Sequence, residues 1–352
     1  MSLTNNDFRS ADEVVTPDNL AEMCGWAPED SDGKTATDKE KRLFEVFEQD
    51  SPEVFQMKAQ DDIPEEILKA WNDFQKEKGR YPGSFDWSLL DEFVVGEPLI
   101  WLPQKIGSCV ISNTFRIYVI RMMYQVVLRG RAQEYFGRNE FGQNNWAPYA
   151  PFSYGMARER ANLRGGDGLY CAPMLQSLAE DGVLQCSTPA LRSILEPRGS
   201  VDDRDYPETQ DNQLYRDFGD WKFNDKLKAY ADNKVNETSM VKSADDLWRK
   251  LEQGKPSFVC SMEAIHKVGL HRDGFPVHAR NPRDQWAHNM AFVGGFIASD
   301  GERFFRESNE SWGKDAIYNR RFEEVEQAFQ RGDLTVGNIG NIDAPMSGPP
   351  TI

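Results

Sequence analysis

The sequence predicts an α+β protein, with a helical half followed by a strand-rich half. Two observations carry this. Apolar residues recur at helical spacing up to about residue 255. From Pro256 onward the texture changes to short strand-like runs at 257–262, 290–298 and 303–306. The absence of an internal repeat, and the order helices then strands in one body, point to two packed lobes rather than a repeat array. At 352 residues, 39% hydrophobic and 12% aromatic, the chain has enough apolar material for one large core or two smaller ones.

The elements follow in chain order. Residues 38–47 place Leu43, Phe44 and Phe47 at helical spacing. Pro64 at a first helical position, Glu65 and Glu66 in the first turn, and Ile67, Leu68, Trp71 and Phe74 on one face make a second helix, which Gly79 stops. Arg80-Tyr81-Pro82-Gly83 is a turn and a boundary, so residues 1–83 read as an N-terminal extension, 84–330 as the main domain and 331–352 as a tail. Within the domain, a helical lobe covers about 100–255 and a strand lobe about 256–320. The longest helix begins at Cys109. Asn113, Arg116 and Arg121 interrupt its apolar run, which suits a core helix and not a membrane span. Residues 173–181 form a helix with Met174, Leu175 and Leu178 inward and Gly182 closing it. Residues 198–240 are polar, an irregular insertion with short helices around 225–231. Ser243 caps the next helix, with Asp246 three residues on, Leu247, Trp248 and Leu251 on its apolar face, and Gly254 at its end. A last helix is expected over 322–329, followed by a Pro/Gly-rich end at 341–352.

Charge narrows the partners. The formal net charge is −16, and residues 1–66 hold eighteen Asp and Glu against six Lys and Arg. An acidic front before a nearly balanced body repels phosphates, so nucleic acid is not an expected partner, and no segment suggests a membrane. The five cysteines, Cys24, Cys109, Cys171, Cys186 and Cys260, are odd in number and lack CxxC spacing, which reads as reduced thiols. No basic and apolar signal-peptide pattern follows Met1.

Two segments carry chemistry. Gly107-Ser108 are turn formers directly before Cys109 and the apolar run, so this thiol heads a helix, where the positive end of the helix favours a thiolate. Trp286-Ala287-His288 opens a strand about 180 residues later and offers an imidazole. The plainer alternative for Cys109 is a buried structural cysteine. His266, His271 and His278, with Asp273 among them, are spaced too widely for an evident metal set and read as surface-loop histidines. Gly165-Gly166-Asp167-Gly168 is not followed by Lys-Ser/Thr and is no phosphate loop, so neither a metal nor a cofactor is expected.

Leu102-Pro103-Gln104-Lys105-Ile106-Gly107-Ser108-Cys109 resembles the active-site segment of papain-like cysteine peptidases. Phe85-Asp86-Trp87 resembles the start of their mature domain, and Gly165-Gly166-Asp167-Gly168 their Gly-rich segment. Trp286-Ala287-His288-Asn289-Met290-Ala291 resembles the strand bearing their histidine, and Ser311-Trp312-Gly313 the end of their Asn-Ser-Trp-Gly motif. These matches occur in family order over roughly residues 84–320. The resemblance implies an α+β papain-like two-lobe fold, Cys109 as nucleophile, His288 as base, Gln104 as oxyanion donor and Asn309 as the residue orienting His288. Trp286 and Trp312 would shield the site from water. The pattern also departs from the family: Gln104 lies five residues before Cys109 rather than six. Glu310 stands directly before Ser311, so either Asn309 or Glu310 could orient the imidazole. Val110 replaces the usual aromatic, and Ile106 a cysteine that ordinarily forms a disulfide.

Tyr154-Gly155 and the style of the insertion resemble papain-like proteins encoded by tailed bacteriophages. That implies a virion or the cytoplasm of an infected host cell as location, with other virion proteins as partners. Two functions remain: a cysteine peptidase or amide hydrolase acting on a protein or peptide substrate, or a structural particle protein that keeps the fold and catalyses little.

Overall fold

The computed structural model describes residues 36–55, 65–80, 84–95, 107–128, 148–186, 188–195, 212–309 and 316–343. The class is α+β, as expected. The helices up to residue 227 are α1 (Ala36–Asp50), α2 (Glu65–Glu77), α3 (Leu90–Val95), α4 (Cys109–Leu128), α5 (Ala150–Arg160), α6 (Cys171–Glu180), α7 (Pro189–Leu195), α8 (Asn212–Gly219) and α9 (Asn224–Leu227). Two more, α10 (Ala244–Glu252) and α11 (Phe322–Arg331), lie among the strands. Those strands are β1 (Phe85–Asp86), β2 (Val235–Val241), β3 (Ser257–Leu270), β4 (Pro276–Ile297), β5 (Arg303–Ser308), β6 (Ile317–Arg321) and β7 (Leu334–Ile342).

The sheet runs in the order β2-β7-β3-β4-β5-β6, with β1 paired to β4. Its ladders are antiparallel apart from one parallel bridge, His278 opposite Arg320, which draws β4 and β6 together. Helix α4 packs against β4 and β7. Its residues from Cys109 to Gln125 are all buried, including the polar ones that interrupt the run. Each arginine is answered: Arg116 donates to Asp91 at 3.0 Å and to the Ser88 carbonyl at 2.9 Å. Arg121 donates to the carbonyls of Gly254 (3.1 Å) and Gly340 and to Asn341. A buried guanidinium without such partners would be strongly destabilising, so these residues fix the helix to its surroundings. Among the described residues no helix is long and apolar enough to cross a membrane.

Several local signals act as read. Ser243 Oγ accepts from the Asp246 N–H at 3.1 Å, and Gly79, Gly182 and Gly254 take positive φ where their helices end. Helices α1 and α2, from the expected N-terminal extension, contribute Phe44, Phe47 and Trp71 to the main core, and Trp71 stacks on Trp87 at 5.4 Å.

Three expectations are corrected. The segment 331–352 is not all tail, because Leu334–Ile342 is buried between β2 and β3. Its glycines hid the strand: Gly337 lies against the Phe258 ring and Gly340 against the Glu237 side chain, where no Cβ fits. His271 and His278 are not surface residues: both are buried, His278 on β4, which with β3 is much longer than expected, and His271 at the start of the turn that joins those strands. His271 stacks on Phe275 at 4.6 Å and contacts Asp300 at 2.9 Å, while His278 Nδ1 accepts from the Asn319 N–H at 3.1 Å. The cysteines are not all reduced: Cys171 and Cys260, 89 residues apart, form a disulfide joining α6 to β3. No spacing motif announces that pair, because the fold alone brings it together.

Candidate active site

Cys109 is the first residue of α4 and is wholly buried. Gly107 and Ser108 turn the chain into the helix, and the Ser108 carbonyl accepts the Ser112 N–H at 3.1 Å, closing the first turn. His288 lies on β4 opposite Ser261 of β3 and is also wholly buried. Its Nε2 is 3.0 Å from the side-chain oxygen of buried Asn309, which follows the end of β5. The Asn309 side chain thus meets the imidazole. Glu310, Gln104 and Trp312 lie outside the described residues. Trp286 is partly buried and packs against the main core two residues before His288.

An amide oxygen can only accept, so the Asn309 contact places the imidazole proton on Nε2 and leaves Nδ1 as the basic nitrogen. Burial disfavours the imidazolium and pushes His288 down to about 4, with the Asn309 hydrogen bond pulling weakly the other way. At neutral pH the ring is uncharged, the form that can take up a proton.

Asn113, four residues after Cys109 and so on the same face of α4, joins the two segments. Its Nδ2 lies 3.1 Å from the Cys109 carbonyl and 2.7 Å from the carbonyl of Asn289, the residue after His288. The start of the helix and the histidine strand are thus bound to the same amide nitrogen. Sequence reading noted Asn113 only as a polar interruption. Its signal was the i,i+4 spacing from Cys109 within an otherwise apolar run.

Asn289 points to the other face of β4 from His288. Its amide donates to Cys171 Sγ (3.1 Å), the Val259 carbonyl (3.2 Å) and Cys260 Sγ (3.4 Å). Glu40 of α1 accepts the N–H groups of Cys171 (2.8 Å) and Ala172 at the start of α6. Two side-chain groups among the described residues have metal-ligating composition: Glu40/Cys171/Cys260 and His271/Asp300/Glu302. In the first, the sulfurs are joined to each other. In the second, Asp300 pairs with Arg272 and Glu302 with Arg321, each at 3.2 Å, so guanidinium groups already meet the charge.

The Gly-rich loop is exposed at Gly165 and Gly166, both at positive φ. Buried Arg158 anchors it, donating to the carbonyls of Gly165 (2.7 Å), Gly168 (2.5 Å) and Gly219 (3.3 Å). Tyr154-Gly155 has a packing role in the same region: Tyr154 meets Tyr215 edge-on at 5.6 Å, and Gly155 lies against the backbone of Phe218.

No family model and no curated protein matches the sequence. Among solved structures, the chain is similar to xylellain, a cysteine protease from Xylella fastidiosa, at 16% identity and TM-score 0.44 over 90% of this chain and 96% of that one. It is similar to digestive procathepsin L 3 of Tenebrio molitor larval midgut at 12% identity and TM-score 0.40, over 85% and 88% of the two chains. For procathepsin B S9 from Trypanosoma congolense the values are 13% and 0.41, over 94% and 99%. At these identities and TM-scores the likeness carries nothing toward function, which rests on this chain's own side chains.

Proposed function

We propose that this chain is a papain-like cysteine peptidase or amide hydrolase working through Cys109 and His288. The observation that carries the reading is the His288–Asn309 contact, made beside a helix that starts at a thiol and tied to that helix by Asn113. A structural cysteine does not require an imidazole oriented by a buried amide on a strand tied to its own helix. In the proposed reaction, His288 Nδ1 takes the Cys109 proton and the sulfur attacks an acyl carbon of a protein or peptide. The tetrahedral oxyanion meets the Cys109 N–H and, on the family pattern, the Gln104 side-chain amide. The C–N bond breaks as the imidazolium protonates the leaving amine. Water, deprotonated by His288, then hydrolyses the thioester.

One observation favours a second reading, a particle protein with the fold and little turnover. Cys109 and His288 are both fully buried, and burial disfavours the imidazolium of His288, so both groups are covered and the ring is neutral. A peptide reaches them only if the site opens.

An epoxide or iodoacetamide probe on purified full-length protein separates the two. The hydrolase reading expects selective modification of Cys109, loss of it in His288→Ala, and cleavage of a fluorogenic peptide that Cys109→Ser abolishes. Modification of Cys186 in preference to Cys109, with no cleavage of a peptide library, would sink that reading. Copurification with virus particles tests the virion setting separately.

A further inference from the structure

We infer that Asn289 is a positioning residue through which the Cys171–Cys260 disulfide holds the Cys109/His288 site in order. This rests on the peptidase reading above and assigns that site a control by redox state.

The argument is a run of buried contacts. The Asn289 amide nitrogen is seated between the two bonded sulfurs, 3.1 and 3.4 Å away, and the Val259 carbonyl at 3.2 Å. Its own carbonyl accepts from Asn113, which also holds the Cys109 carbonyl. His288 is its immediate neighbour on β4. Asn289 and Asn113 are wholly buried, as are the Cys260 side chain and the residue carrying the thiol. Buried polar groups of this kind have no water to fall back on, so a shift of one is passed to the next.

The disulfide also joins the two halves of the molecule. Cys171 belongs to α6 of the helical half, where Glu40 fixes its N–H, and Cys260 to β3 at the centre of the sheet. A dithiol reductant breaks the S–S bond by supplying two electrons and two protons. Both cysteines become thiols and the reductant becomes a disulfide. Two unbonded sulfurs cannot remain at bonding distance, so the seat of the Asn289 amide widens, and the new S–H groups compete for the same acceptors. The strand carrying His288 and the turn carrying Cys109 then lose a common anchor.

The test compares full-length wild-type protein in two states, with the disulfide intact and after dithiol reduction followed by anaerobic removal of the reductant. Peptide mass mapping verifies each state. The site-resolved rate of Cys109 alkylation by iodoacetamide is read against Cys186 as internal reference. Reduction is expected to slow Cys109 by about fivefold or more, the low end of measured site-to-site coupling, with Cys186 unchanged. In a peptide assay the loss is expected in kcat with little change in KM. Asn289→Ala is expected to abolish the difference between states, and Cys171→Ala/Cys260→Ala to behave like reduced wild type in both conditions. Equal Cys109 rates in the two wild-type states overturn the inference without any variant. So does failure of the disulfide to form on oxidation, or a full difference persisting in folded Asn289→Ala. Because the readout is alkylation of Cys109, absence of peptide cleavage would count against the peptidase reading and leave this comparison intact.

Discussion

The side-chain oxygen of Asn309 lies 3.0 Å from Nε2 of His288, and both residues are fully buried. Buried in this way, the contact fixes ring orientation and tautomer at Nε2. Asn309→Ala is expected to lower kcat by about tenfold to a hundredfold, the worth of a hydrogen bond to a group that becomes charged during the reaction. KM should change little, and Asn309→Asp should recover more of the rate than Ala. Steady-state kinetics on a peptide checks this, and an unchanged kcat would leave the contact merely structural.

The same burial sets an acid limit. His288 is pushed down to about 4, so the free protein keeps a neutral base well below the usual histidine range. The acid limb of kcat/KM is therefore expected near pH 4, with activity lost as pH falls through it. Asn309→Ala removes a hydrogen bond that raises the value, so the limb should move to lower pH. A pH–rate profile breaking near 6.5 instead would indicate that the site is open and solvated in the active form.

The thiol at a helix start and the imidazole on a strand were legible because each sat beside strong local signals, Gly107-Ser108 and the run from Met290. Helices with caps and stops, such as Ala244–Glu252 after Ser243, were equally plain. What the sequence hid was cooperative. The strand Leu334–Ile342 is broken by Gly337 and Gly340, which are there for close approach to Phe258 and Glu237. The disulfide, and the joining of Cys109 to Asn289 by Asn113, depend on residues between 89 and 176 positions apart. No local pattern encodes a partner at that distance.

Glu40 shows how the N-terminal segment is bound to the body. Its carboxylate accepts two N–H groups at the start of α6, where the helix end favours negative charge. Glu40→Ala leaves two buried donors without their acceptor and is expected to cost about 1–3 kcal/mol. Glu40→Gln should cost less, since it keeps an acceptor oxygen. Urea unfolding of both variants measures this; equal stability of Glu40→Ala and wild type would mean that another group replaces the carboxylate.

Acid should weaken the fold over a definite range. His278 and His288 are each pushed from 6.5 to about 4 by burial, with Lys267, His266 and Arg320 adding to the effect at His278. Between those values the unfolded chain binds protons that the folded chain refuses, so stability present above pH 6.5 is lost as pH falls toward 4, on the order of 3 kcal/mol per imidazole. Glu307 opposes this. Burial raises its carboxyl from 4.5 to about 7 against the pull of Arg320, so its contribution declines as pH rises across that interval. Two imidazoles outweigh one carboxyl, and the urea midpoint is expected to fall on acidification from pH 6.5 to 4.5. His278→Gln, which keeps an acceptor for the Asn319 N–H, should flatten the slope. A midpoint that rises on acidification would reverse the assignment.

Gly155 separates helix propensity from packing. It lies in the middle of α5, where alanine is ordinarily better by about 1 kcal/mol. Here a Cβ would stand 2.5 Å from the Phe218 carbonyl oxygen and 2.8 Å from Asn224 Oδ1. The first of these is backbone, so it yields only if α8 moves, and with it the Gly219 carbonyl that Arg158 holds. Overpacking of this kind costs about 1–3 kcal/mol, enough to cancel the propensity gain and reverse its sign. Gly155→Ala is therefore expected to lower stability, and hydrogen exchange should increase first in residues 212–230, the segment pushed outward. A stabilised Gly155→Ala would mean that α8 yields at little cost, and that its contact with α5 contributes little to fixing the Gly-rich loop.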